Sequence, residues 1–130
     1  MGIKYLWDTN TAIYYLQRQF PTSAEQFMDG ILKEFQPCIS AITEIELLCW
    51  KTANENDLVV LNSFISDSIV FGLEKDIKAK TVALRKNYKI KLPDAIIGAT
   101  AIVNGLTLLT RNISDFHNIP DISFINPWDK

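Results

Sequence analysis

Apolar residues recur along this chain in two spacings, short unbroken runs that suit strands and three-to-four-residue steps that suit helices, and the two kinds alternate. Ile3 to Trp7 is a run with β-favouring residues, followed by the capping types Asp8-Thr9-Asn10-Thr11. A helix from Ala12 to about Gln19 then carries Ile13, Leu16 and Phe20, and Pro21 blocks its continuation. A second helix, about Ser23 to Glu34, shows Phe27, Ile31 and Phe35 on one face. Pro37 to Ser40 reads as a strand whose last residue can cap a helix from Ala41 to about Thr52. Leu58, Leu61 and Ile65 predict a helix over Asn54 to about Ser66, and Ser68 to Phe71 a third strand. A mixed-charge helix with Ile77, Val82 and Leu84 spans Glu74 to about Asn87.

The stretch from Ile90 to Phe116 organises the rest. Pro93 suits the first turn of a helix, and Asp94 behind it would sit at the positive end of the helix dipole, where a carboxylate is stabilised. From Ala95 to Val103 every residue except Thr100 is apolar or glycine, which predicts a buried helix rather than an amphipathic one. Gly98, Ala99 and Ala101 would let it approach a sheet closely, and Asn104-Gly105 reads as its C-terminal stop. A strand from Leu106 to Thr110 follows, with Thr110, Asn112 and Asp115 gathered beyond it, and Ser123 to Ile125 gives a last short strand. Strands and helices alternating in this way predict a three-layer α/β/α sandwich around a mostly parallel sheet of about five strands. Ligands of such sheets bind beyond the carboxyl ends of the strands, where Asp8, Thr110 and Asn112 fall.

Length and composition narrow the picture. At 130 residues and 48% hydrophobic content, residues 1–130 are expected to form a single domain with a core that needs no disulfide or structural metal. Apolar stretches fall short of the roughly 18 to 20 residues that span a bilayer, and MGIKYLWDTN lacks a signal-peptide apolar region, so the expectation is a soluble cytoplasmic protein with no membrane partner. Cys38 and Cys49 do not have zinc-knuckle spacing and are expected as reduced thiols filling core space. His117, the only histidine, has no activated nucleophile beside it and reads as a partly exposed loop residue. A net charge of −2 argues against indiscriminate nucleic-acid binding, although acids collected in one pocket would leave basic patches elsewhere. One such patch is Arg85-Lys86-Asn87-Tyr88-Lys89-Ile90-Lys91. It could track a phosphate backbone, and it could equally serve the end of its helix.

The candidate chemistry lies in the acids. Asp8, Asp94 and Asp115, with a glutamate from a facing helix, would repel one another unless a cation joined them. Oxygen donors without histidine or thiolate suit Mg²⁺ or Mn²⁺, which can activate water and stabilise charge on a leaving oxygen during phosphodiester hydrolysis. Thr9, Ser40, Thr110 and Asn112 would orient ligands or waters around them. Two glutamates compete for the fourth place. Glu44 and Glu46 point about 200° apart on a helix, and periodicity leans toward Glu46 without deciding. Asp8 also has a plainer reading, as the cap of the helix that follows it. The aromatic surface of Tyr14, Tyr15, Phe20, Phe27 and Met28 is mostly core, with any exposed part available as a partner groove.

Asp8-Thr9-Asn10, S-A-I-T-E-I-E-L from Ser40 to Leu47, L-P-D-A-I-I-G-A-T-A from Leu92 to Ala101 and T-R-N-I-S-D-F from Thr110 to Phe116 follow one another in an order and spacing that resemble the motifs of PIN-domain ribonucleases, in particular the VapC-type toxins of bacterial toxin–antitoxin pairs. The resemblance spans essentially the whole chain and is strongest in the last two motifs. It implies a metal-dependent endoribonuclease that cuts structured RNA such as tRNA or rRNA, forms a homodimer, and is held inactive by a cognate antitoxin. It puts the acidic positions on Asp8, Glu46, Asp94 and Asp115, the metal on Asp8, Asp94 and Asp115, and the nearby hydroxyl and amide on Thr110 and Asn112. The S-x-x-T-x-x-E-L pattern selects Glu46 and leaves Glu44 outside. Gly98 stands where the motif often has alanine. Two other classes compete with this reading: a non-catalytic binding module on the same fold, and an Asp-nucleophile phosphohydrolase, which the asparagine two residues after Asp8 disfavours.

Overall fold

A computed structural model describes residues 1–51 and 53–130. Five parallel strands, β1 (Tyr5–Trp7), β2 (Cys38–Ser40), β3 (Ile69–Phe71), β4 (Thr107–Leu109) and β5 (Phe124–Ile125), form a sheet in the order β3-β2-β1-β4-β5. Helices α1 (Thr9–Leu16), α2 (Thr22–Glu34), α3 (Ala41–Leu48), α4 (Glu55–Asp67), α5 (Lys75–Asn87), α6 (Leu92–Asn104) and α7 (Ile113–Phe116) connect them, and Pro127–Asp129 adds a short 3₁₀ turn. The expected α/β/α sandwich is the observed one.

Period-two alternation along the strands sorts the core into two halves. Leu6, Cys38 and Leu108 pack with Ile77 and Leu84 of α5, Ile97 of α6 and Phe116 of α7 on one side of the sheet. Tyr5, Trp7, Ile39 and Leu109 pack with Met28, Leu47, Leu61 and Phe64 on the other. Each strand must therefore be apolar at successive positions, which is why the runs read as continuous rather than alternating.

Local signals set most element boundaries. Ser40 caps α3 through Thr43 N, and Asn54 and Asp57 form a reciprocal capping box at the start of α4. Gly105 ends α6 in the left-handed conformation at φ 63°, as Asn104-Gly105 predicts. α1 begins at Thr9, three residues earlier than expected, because Asp8 itself is the cap. α3 ends at Leu48, and its expected last residue, Thr52, lies outside the described residues. Gly98 differs from expectation in what it approaches. A Cβ there would meet Ile122 Cδ1 at 3.0 Å and Phe116 Cε1 at 3.4 Å, so the glycine admits α7 and the chain after it rather than the sheet. Cys38 is buried as expected, whereas Cys49, the last-turn cap of α3, is exposed and fills no core space.

Candidate metal centre

The strand order reverses at β1. The chain moves outward through β2 and β3, then returns to the opposite side of β1 for β4 and β5, so the crevice beyond the carboxyl ends of β1 and β4 is the switch point of the sheet. Asp8 stands there, directly after β1, and its N–H donates to Leu109 O at the end of β4 (3.2 Å). Its Oδ1 accepts from Thr11 N at 2.8 Å, capping α1. The Thr110 hydroxyl adjoins the Asp8 carboxyl and favours its charged form against the larger opposing effect of burial. Capping and membership of the acid cluster are not exclusive, because the same buried carboxyl lines a hollow of about 130 Å³ with Thr9, Asn10, Glu46, Asp94 and Asn112.

Each of the other acids comes from a different element. Asp94 is carried by the first turn of α6, Glu46 by α3 and Asp115 by α7. Burial raises the Asp94 carboxyl to about 6, and the charges of Asp115, Asp8 and Glu46 push the same way. Burial likewise raises Asp8, with the Glu46 charge adding to it. Asp8, Glu46 and Asp94 line one hollow, and Asp115 is near enough for its charge to act on Asp94. His117 stands outside it, exposed at the end of α7 with Nδ1 against Ile113 O and Ser114 O.

Hydroxyl and amide groups hold the acids in place. Thr9 Oγ1 donates to Glu46 Oε1 at 2.6 Å and shares a 3.1 Å hydrogen bond with Thr43 Oγ1. Ser40 Oγ lies 3.2 Å from Thr43 Oγ1, so Ser40 reaches the cluster through Thr43 and Thr9 rather than directly. Asn112 Nδ2 donates to Asp115 Oδ2 at 2.6 Å, while Asn112 N donates to Thr110 Oγ1 at 3.0 Å. Glu44 takes no part in this network. Two threonines outside the predicted site residues join the network, although Thr43 is the T of the S-x-x-T-x-x-E-L pattern. Thr43, fully buried, sits three residues from both Ser40 and Glu46, a spacing that puts all three on one helical face and is the signal that could have found it. Thr11 Oγ1 ties α1 to Leu109 O at 2.9 Å, and no pattern in the sequence announces that contact.

Among the described residues no three acid, histidine or cysteine side chains form a ready-made metal cage. The donor set nonetheless fits a hard dication: four carboxylates, hydroxyl and amide neighbours, no nitrogen or sulfur ligand, and two acids whose proton affinity is raised first by burial and further by neighbouring carboxylates whose charge a cation would offset.

Three hollows border or oppose the crevice. One of about 410 Å³ continues from Asp8, Asn10 and Asn112 to Tyr14, Arg111 and Trp128. Another of about 360 Å³ runs from Asp115 along Arg85, Lys89 and Lys91. The most capacious, about 520 Å³, lies at the amino-terminal edge of the sheet around Pro37, Phe64 and Asp67, away from the acids.

Comparison with known proteins agrees with this architecture. The PIN domain family model matches residues 5–122. The chain is 30% identical to a tRNA(fMet)-specific endonuclease VapC of Salmonella typhimurium, with 97% of this chain and 98% of that one covered. Among solved structures it resembles a toxin–antitoxin complex from Klebsiella pneumoniae (TM-score 0.77, 34% identity, 95% of this chain and 98% of the other). It also resembles a DNA-bound VapBC from Salmonella typhimurium (TM-score 0.79, 28% identity, 96% and 98%). With a family model spanning nearly its whole length and a five-stranded parallel sheet to match, this chain belongs to the PIN domain family.

Proposed function

We propose that the chain is an endoribonuclease dependent on Mg²⁺ or Mn²⁺ and acts as the toxin of a toxin–antitoxin pair. The observation that carries this reading is the convergence of Asp8, Glu46, Asp94 and Asp115, from four elements, on the switch-point crevice. Relatives named as VapC endonucleases supply the substrate class.

Asp8, Asp94 and Asp115 would hold the ion. A bound dication supplies Lewis acidity toward a phosphate oxygen and acidifies water. The protein's own groups do the rest. Glu46, fixed by Thr9, is placed to orient the attacking water and take its proton. Asn112 and Thr110 fix the rotamers of Asp115 and Asp8, and the amino end of α6 favours the ionised form of Asp94 once a cation offsets its neighbours. Arg85, Lys89 and Lys91 line a hollow that opens onto Asp115 and would receive backbone phosphates of the RNA.

The partner of this toxin is a small antitoxin that inserts a basic side chain among the acids. The half-buried aromatics Tyr14, Tyr15 and Phe27 on α1 and α2 are the surface for its apolar contacts. A second copy of the chain is the further partner, and exposed Ile45, Leu48 and Val59 on α3 and α4 are available for it to cover. Co-purification with the product of a small adjacent reading frame tests the first association, and light scattering tests the second.

Purified protein should cleave tRNA or rRNA when Mg²⁺ or Mn²⁺ is added and stop with chelator. Asp94→Asn should remain folded and lose turnover. Equal cleavage by that variant would overturn the assignment.

A further inference from the structure

The hollow that continues from Asp8, Asn10 and Asn112 is built differently from the acid crevice. Its far wall is Trp128, with Tyr14 and Arg111 beside it. Trp128 is anchored from several sides: its backbone N–H donates to Asn126 Oδ1 at 3.0 Å, its ring sits 4.5 Å from that of buried Phe20, and the Tyr14 ring meets it edge-on at 5.4 Å. The Arg111 guanidinium lies 5.2 Å from the centroid of the same indole. Arg111 itself is exposed, and it follows Thr110 at the end of β4. A planar cation is thus laid over a fixed aromatic ring, one step from the acids.

We infer that this hollow is a nucleobase subsite, taking an unpaired base of the nucleotide next to the phosphodiester held at the acids. The inference rests on the ribonuclease reading of those acids. Flat π-bearing groups recognise flat bases, and both aromatic rings and guanidinium planes serve as stacking surfaces for single-stranded RNA. A second phosphate is the poorer occupant, because Arg111 is the one cation among the described residues of the lining, it lies over the indole, and the Asp8 carboxyl of the same hollow opposes an anion. A base carries no charge and can stack on the outer face of the guanidinium that the indole holds in place. Asn10 and Asn112, on the shared rim, can donate to and accept from a base edge. The subsite therefore selects RNA that is looped or unpaired at the cut.

The test is a binding cycle in an Asp94→Asn background, with its melt and its loss of turnover checked first. A short fluorescent single-stranded oligoribonucleotide is compared with the same chain built from stable abasic nucleotides. The intact RNA is expected to bind about tenfold tighter than the abasic chain. Arg111→Lys keeps the charge and removes the plane, so it should close most of that gap while leaving abasic binding unchanged. Trp128→Leu, checked for folding by its melt, should act in the same direction. A gap of the same size in Arg111→Lys, or no gap in the parent, overturns the subsite. Cleavage by the otherwise native chain is scored separately with Mg²⁺: failure there removes the nuclease reading while a base-dependent gap would still stand, and cleavage without a gap does the reverse.

Discussion

Asp94, in the first turn of α6, and Asp115, on α7, set two carboxylates near one another at the crevice, where the Asp115 charge raises the Asp94 carboxyl beyond what burial alone does. Asp94 is the one raised, from 3.8 to about 6, first by burial and then by the Asp115 charge. A native-state value above the unfolded one means that the folded chain binds more protons between those two limits. Stability is then favoured below the lower value and lost as pH rises through about 6. Metal-free protein should accordingly melt at a lower temperature at neutral pH than near pH 4 to 5. Asp94→Asn should flatten that part of the profile, and Mg²⁺ should restore the neutral-pH melting temperature of the unsubstituted chain. Protons and metal compete for the same oxygens, so cleavage should rise with pH through about 6. Thermal melts across pH with and without Mg²⁺ check this; a profile that Asp94→Asn leaves unchanged would place the repulsion elsewhere.

The Thr9 hydroxyl donates to Glu46 Oε1 at 2.6 Å and bridges α1 to α3. Thr9→Val keeps the shape and removes the donor, leaving Glu46 free to turn into solvent, to which it is already exposed. Turnover should fall about tenfold or more, the usual scale for losing an orienting partner, with little change in melting temperature. Thr9→Ser should recover most of the rate. Equal loss in both would mean that the methyl packing of Thr9, rather than its hydroxyl, matters.

How far the sequence disclosed this molecule follows from where each signal is stored. Pro93, Gly105, Ser40 and the apolar runs act locally, so α6, its stop, the cap of α3 and the five strands could be read directly. The acids were legible as strand-end and helix-start residues, but their convergence is a property of strand order, and motif resemblance rather than periodicity separated Glu46 from Glu44. α7 was missed because four residues carry too little pattern to distinguish a helix from a loop. The exposure of Cys49 was missed for a related reason: it depends on α3 ending at Leu48, and helix ends are set by tertiary packing as much as by propensity.

Gly98 makes a separate claim on packing. Alanine there gains helix propensity of about 1 kcal/mol but must displace Ile122 Cδ1, at 3.0 Å from the new methyl. That atom is the flexible end of a side chain, so Gly98→Ala should change stability by less than about 1 kcal/mol in either direction. Gly98→Leu has no such outlet, since Phe116 and Leu84 close the remaining sides, and should cost about 1–3 kcal/mol or more. Because Phe116 adjoins Asp115 on α7, the leucine variant should also weaken metal binding, measurable by calorimetry, whereas the alanine variant should not. Denaturant melts of the two variants give the stability comparison.

Electrostatics on the opposite flank of the crevice give the last prediction. Arg85 Nη1 donates to Ile90 O at 2.7 Å, so this arginine shapes the turn that presents Lys89 and Lys91 as well as contributing charge. Both lysines are exposed, while Ile90 between them is buried in the core with α5 and α6 and pins the segment. If the two ammonium groups meet RNA phosphates, each removed contact should lower the slope of log affinity against log salt by about 0.7, the single-strand value, and should weaken all sequences alike. Lys89→Ala and Lys91→Ala should therefore reduce affinity most at low salt, raise KM for cleavage and leave kcat nearly unchanged, because neither side chain touches the acids' hydrogen-bond network. Arg85→Ala should do more, losing a charge and loosening the turn at once. A salt slope identical to that of the native chain in both lysine variants would assign these cations to the end of α5 instead, as partners of its terminal carbonyls.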